Sequence, residues 1–149
     1  MALVTPLLIL LMFGAMEMGH YFYSQHVVVK AVRDGARFAS REGFDDFTCP
    51  DQIDGTVKSE TQNVTRTDQV ADGGSARLPG WTDNSTVDVS LTCDSTVDYQ
   101  HSIYEGLSAV PVVKVTATVP YMSLFSLLGF GSGKSIQLIA TSQAPVMGA

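Results

Sequence analysis

An almost unbroken apolar run, Met1 to Met18 (MALVTPLLILLMFGAMEM), opens this chain of 149 residues. Only Thr5, Pro6 and Glu17 interrupt it with anything other than apolar residues or glycine. About twenty apolar residues span a bilayer, and Ala2 to Tyr23 reaches that length when Glu17, His20 and the tyrosines lie at the interface. Tyr21, Phe22 and Tyr23 suit the aromatic belt found there. A glutamate held ionised at mid-bilayer is costly. Glu17 must therefore lie shallow, be protonated, or pair with a positive group on a neighbour. A core helix is disfavoured because the run is apolar on every side. A cleaved signal peptide needs a basic start and a small-x-small cleavage site, whereas this run starts without a base and FGAMEMG is a poor site.

The helical repeat does not stop at the interface. Val28, Ala31, Val32, Gly35, Phe38 and Ala39 recur at three- and four-residue spacing, a half-buried stripe. Lys30, Arg33, Asp34, Arg37 and Arg41 fall mainly on the other side. Small residues on or near the stripe (Ala31, Gly35, Ala36, Ala39) allow close packing of helices. Gly43 is placed to end the helix as a left-handed cap. One helix from Ala2 to about Glu42 would be roughly 60 Å long at 1.5 Å per residue.

Charge divides the chain. Residues 1–41 hold four bases against two acids, a net of +2, and the rest hold five bases against thirteen acids, a net of −8. An acidic globular part argues against nucleic acid, which requires a basic stripe. The four bases beyond the apolar run fit either anionic headgroups at a membrane surface or a solvated helix face. Positive-inside logic would put them in the cytoplasm. That conflicts with an extracytoplasmic domain unless a basic leader has been removed or lies upstream of the numbered start.

Cys49 and Cys93 are the only cysteines, and they fit neither a metal site nor a redox CxxC. In a membrane-anchored chain with an extracytoplasmic soluble part they read as one disulfide, stabilising by about 4 kcal/mol in the chain-entropy model. Two free buried thiols in a cytosolic domain are the alternative.

Past residue 42 there is room for one small domain. Pro50 to about Thr65 places Ile53, Val57 and Val64 on one helical face, with Pro50 near its start and Gly55 weakening it. Residues 71–85 are a loop by composition. TVDVSLTC, VVKVTATV and SIQLIATSQA alternate as half-buried strands, with Cys93 facing in and Ile136, Leu138 and Ala140 sharing one face. The apolar stretch PYMSLFSLLGFGSGK between the last two is suited to a short helical turn over the sheet or the long helix. The expected fold is α+β: three antiparallel strands laid on the amphipathic end of a long N-terminal helix. The expected division is an anchoring helix over 1–42 and a globular domain over 43–149.

The order of punctuating residues in the first 42 positions resembles the N-terminal segment of TadE-like minor pilins (pseudopilins) of tight-adherence pili. Ala2-Leu3-Val4, Pro6, the Leu/Ile run, Gly14, Glu17, Gly19, Tyr23, Ala31, Arg33, Gly35-Ala36-Arg37 and Ala39 carry the likeness. The chain departs in having Asp34 for the family's usual glutamate. It also lacks the prepilin-peptidase glycine and the glutamate that follows it. The Val/Thr strand, Pro-Tyr-led apolar segment and last strand of residues 112–144 extend the likeness more weakly.

The resemblance implies a non-enzymatic pilus component without a cofactor. Its partners would be other minor and major pilins and an inner-membrane assembly platform. It would reside in the bacterial inner membrane, with its domain periplasmic, or in the extracellular pilus. Pro6, Gly14, Glu17, Gly19, Tyr23, Gly35, Ala36 and Arg37 are then the residues expected to meet partner helices, and a buried Glu17 would set their register. An assembly factor that never leaves the membrane needs the same anchor. A signal-anchored periplasmic enzyme or calcium-binding module is the reading of a different class.

Little else carries chemistry. Residues 129–135 (GFGSGKS) lack a phosphate loop's first glycine, since Leu128 stands there, and they precede a strand rather than a helix. His20, His26 and His101 have no metal-ligand spacing to a cysteine or carboxylate. Asp45, Asp46, Asp51 and Asp54, or Asp94 and Asp98, could collect around calcium, though no loop follows a known ligand pattern. No serine sits in a G-x-S-x-G setting. Asn63-Val-Thr65 and Asn84-Ser-Thr86 are glycosylation sequons only in a glycosylating pathway. Trp81 is expected to anchor its loop, or to meet a partner if exposed.

Overall fold

The computed structural model describes residues 4–95, 102–124 and 136–148. Its longest element is α1 (Val4–Ala39), an unbroken helix of 36 residues, about 54 Å long at 1.5 Å rise. The first fifteen of these, Val4 to Met18, are exposed except for the half-covered Glu17. From Ser24 onward one face is buried, with Val28, Ala31, Val32, Ala36 and Ala39 at 0–1% exposure. The heptad-like stripe thus becomes one wall of the core, and Phe38 is half-buried at its edge.

The helix ends three residues earlier than expected, and Gly43 is not a left-handed cap. Its φ of −63° and ψ of 149° are extended. Arg41 N–H donates to Phe38 O and Glu42 N–H to Ala39 O (3.0 and 3.3 Å). These short-range bonds occupy the last carbonyls and tighten the final turn, so no αL residue is required. A 3-10 turn at Phe44–Asp46 follows directly.

A two-stranded ribbon not anticipated from sequence comes next: β1 (Phe47–Thr48) pairs antiparallel with β2 (Gln52–Ile53). Pro50, at a cis peptide after Cys49, lies in the turn between them. Ile53 therefore pairs with Phe47 in a ribbon and does not line a helix. The helix α2 (Gly55–Thr67) begins five residues after Pro50, because Asp54 caps it by accepting from Thr56 N–H at 2.7 Å. Val57 and Val64 are buried on it. It ends with Asp68 in the left-handed region (φ 64°), whose N–H returns to Val64 O.

The main sheet comprises β3 (Val87–Asp94), β4 (Val110–Pro120) and β5 (Gln137–Pro145), all antiparallel with β4 central. Val89 pairs with Val115, and Val115 with Ser142. Val87, Val89, Leu91, Val113, Val115, Ala117, Val119, Leu138 and Ala140 point into the core. Asp88, Thr116, Thr118 and Thr141 take the opposite face, where the Thr116 and Thr141 hydroxyls meet at 3.1 Å. That alternation is the signature of a sheet with one covered side. The architecture is α+β, a long apolar N-terminal helix with small antiparallel sheets. Ile136 does not join Leu138 and Ala140. It lies just before β5 and is 58% exposed, because the core side of the sheet ends there. Cys93 is half-buried and bonded to Cys49, with their Cα atoms 5.9 Å apart. The stretch 125–135, including the phosphate-loop lookalike, and residues Ala2, Asp98 and His101 lie outside the described residues.

Trp81 is fully buried. Leu78-Pro79-Gly80-Trp81 forms a tight turn, with Trp81 N–H on Leu78 O at 3.2 Å. Gly80 at φ +80° occupies the position of a type II turn that only glycine adopts cheaply. The indole N–H donates to Thr86 Oγ1 at 2.7 Å. Trp81 is a loop anchor, not a surface contact.

Candidate functional site

Two hydrogen bonds, one from a side chain and one between backbones, set how the sheet lies along α1. Gln25 Nε2 donates to Ile139 O at 3.0 Å, and Met147 N–H donates to Ser40 O at 2.8 Å. Fifteen helical residues between these points cover about 22 Å, and eight strand residues cover about 26 Å. The lengths match, so β5 runs alongside α1 in the same direction and β4 returns toward the apolar end. Tyr121, the first residue after β4, is thereby delivered to the place where the helix leaves the domain.

There it meets Glu17. The Tyr121 hydroxyl donates to Glu17 Oε1 at 2.9 Å, and Leu124 N–H donates to Oε2 at 3.0 Å. With its proton committed to the carboxyl group, the Tyr121 oxygen is left to accept from His20 Nδ1 at 3.0 Å. The Tyr121 ring also stands edge-on to Tyr21, centroids 5.3 Å apart. Burial, then the hydrogen bond and charge of Glu17, push the Tyr121 phenol above its usual range. No positive group on a neighbour is needed: the acid in the apolar helix is satisfied by its own domain. Tyr121 and Leu124 were not identified from sequence. The one available signal was the Pro120-Tyr121 pair closing a Val/Thr strand.

The residues expected to meet partner helices separate into two sets. Pro6, Gly14, Gly19 and Tyr23 are exposed on the protruding helix, and a Cβ at Gly14 or Gly19 would meet nothing within 4 Å. Pro6 and Gly14, with Ile9, Leu10 and Phe13, line a shallow apolar groove. Gly35 and Ala36 are instead inside the domain. A Cβ on Gly35 would stand 2.0 Å from Thr65 Oγ1, so this glycine is what lets α1 and α2 cross. Arg37 is exposed on the outer face of α1 with Lys30 and Arg33, and Arg41 is exposed in the turn just past it. Lys30 lies thirteen residues beyond Glu17, about 20 Å along the helix.

Asp34 also faces inward. It pairs with Arg77 Nη1 at 2.9 Å, while Arg77 Nη2 reaches Asp68 at 2.6 Å and Val64 O at 3.2 Å. Arg77 thus ties the 68–83 loop to both helices. The two sequon asparagines are used internally. Asn84 Nδ2 donates to Asn63 Oδ1 at 2.8 Å, and Asn63 Nδ2 donates to Val70 O and Asp72 Oδ1. Among the described residues, no three His, Cys, Asp or Glu side chains come together as a metal site.

As a whole α1 is long and apolar enough to cross a membrane, and its apolar window is 0% buried within the protein. A core helix would bury that window, so the finding fits a single-pass anchor. Searches against curated proteins and against solved structures return no match. Residues 1–37, a stretch that takes in nearly all of α1 with Glu17 and Gly35-Ala36-Arg37, match the model of the TadE-like protein family.

Proposed function

We propose that this chain is a structural minor pilin of a tight-adherence pilus, acting in pilus initiation or assembly through its N-terminal helix. The observation that carries the reading is the coincidence of the TadE-like match with a helix whose first half leaves the domain bare and apolar. Such a helix rests in the inner membrane with the domain on the periplasmic side. On assembly it exchanges lipid for other pilin helices, a trade between apolar surroundings that is decided by packing and polar satisfaction. Pro6, Gly14, Gly19 and Tyr23 are the surface it offers to them. The domain, braced by Cys49–Cys93, presents its Thr-rich polar sheet face outward.

The test is mass spectrometry of sheared surface fibres against the inner-membrane fraction of the native cells, following the N-terminal peptide in both. The expected result is recovery in the fibres. Recovery from the membrane alone would replace the pilin with an anchored assembly factor. A soluble periplasmic product cut near Met18 would remove the anchor and the reading with it.

A further inference from the structure

The hydrogen bonds at Glu17 fix more than a side chain. On α1 the apolar run gives way to polar residues at Glu17 and His20, so this is where an inserted helix leaves hydrocarbon. Whatever is bonded to Glu17 stands at the same depth. Tyr121 and Leu124 are bonded there, and Ile136 is carried with them because Tyr121 N–H donates to Ile136 O at 2.7 Å. The near end of the β4–β5 pair is therefore held at the bilayer edge. The far end, where Met147 bonds Ser40, lies about 35 Å higher along α1.

The side chains at that near end are not those of a solvated strand end. Met122 is 40% exposed and Ile136 is 58% exposed. Phe22 and Tyr23, the aromatics that follow Glu17 on the helix, are exposed as well. The Met122 thioether rests on the Leu78–Trp81 turn, where its Sδ would lie 2.5 Å from a Cβ on Gly80, and leaves the rest of the side chain open at the sheet end. Apolar side chains left exposed within the headgroup layer gain by entering it, as the apolar faces of interfacial elements do.

We infer that the domain makes a second membrane contact, in which Met122 and Ile136 enter the interfacial layer of the bilayer beside the anchor. This rests on the anchored reading above. The occupant of this rim is lipid, because the rim is continuous with the span and lies at the depth where the span emerges. The domain is thereby seated against the membrane by two points, the helix and the sheet end, and does not swing on the helix alone. Leaving the membrane for a fibre then requires the rim, as well as the helix, to give up lipid.

The experiment places the isotope-labelled full chain in zwitterionic phosphatidylcholine nanodiscs, with and without lipid spin-labelled near the headgroup. The expected result is loss of the Met122 and Ile136 amide signals together with that of Tyr21, while Val110 and Met147 at the far end keep theirs. Retained Met122 and Ile136 signals with the helix signals lost would overturn the rim and leave the anchor standing. Retained signals at Phe13 and Met16 as well would remove the anchor and the rim together. A Met122→Glu, Ile136→Glu chain, which keeps the Glu17 bonds, should lessen the loss of the rim signals as the helix tilts the charged sheet end away from lipid, and keep the helix loss. If its rim signals stay lost, the apolar side chains do not carry the contact.

Discussion

Glu17 is the residue on which anchor and domain depend most. An unpaired carboxyl group beside a lipid span is costly, and here two donors from one segment after β4 meet both its oxygens. The Tyr121 phenol has the complementary constraint. Its pKa is raised from an ordinary 10.0, burial being the main cause and Glu17 the second. A group with a raised folded pKa contributes stability that is complete below the unfolded value and lost as pH climbs past it. The protein should therefore lose stability above about pH 10 through this residue. Tyr121→Phe should flatten that alkaline decline in thermal melts, while costing about 1–3 kcal/mol at neutral pH from the donor taken from Glu17. An unchanged alkaline limb in the variant would assign the decline to other groups.

At the scale of elements, the contact between α1 and α2 has least room to give. Gly35→Ala would set a methyl 2.0 Å from Thr65 Oγ1 and 3.3 Å from its Cβ, and the helices must part to accept it. The expected loss is about 1–3 kcal/mol, read as a lower denaturation midpoint. Thr65→Ala in the same chain should recover part of it, since residues in contact do not add independently. A Gly35→Ala chain as stable as the parent would show that the crossing can relax. The disulfide joins two other elements, the β1–β2 turn and the end of β3. Replacing Cys49 and Cys93 together by serine should cost about 4 kcal/mol in the chain-entropy account. Equal denaturation midpoints with and without reductant for the parent chain would argue against that bracing role.

Across the whole molecule, one helix has two different surroundings. Its first half is bare and its second half is a wall of the core, and the sheet runs parallel to it so that one end of the domain faces the anchor. The direction of β5 along α1 decides which loops lie near the bare half of the helix and which lie farthest from it. The disulfide and the ribbon of β1 and β2 fall at the far end, near Ser40 and Met147. The fibre and nanodisc experiments bear on this scale, since both ask what covers the bare half of α1 and the sheet end beside it.

The sequence by itself determined the elements whose side chains repeat. The apolar run, the stripe from Val28 to Ala39 and the three alternating strands were legible because burial imposes periods of 3.6 and 2 on the residues themselves. The pairing of Cys49 with Cys93 was legible because two cysteines allow one pairing once the domain is read as extracytoplasmic. Local chemistry was legible less often. Asp54 outcompeted Pro50 as the start of α2, and short-range carbonyl bonds displaced the cap expected at Gly43. Only the tertiary structure decided who meets whom at long range. Glu17 finds Tyr121 across 104 positions of chain, and Arg77 finds Asp34 across 43. Gly35 is small enough to let Thr65 lie against the helix. Such contacts leave no period in the sequence, because each is fixed by how far a strand and a helix advance per residue before they come level.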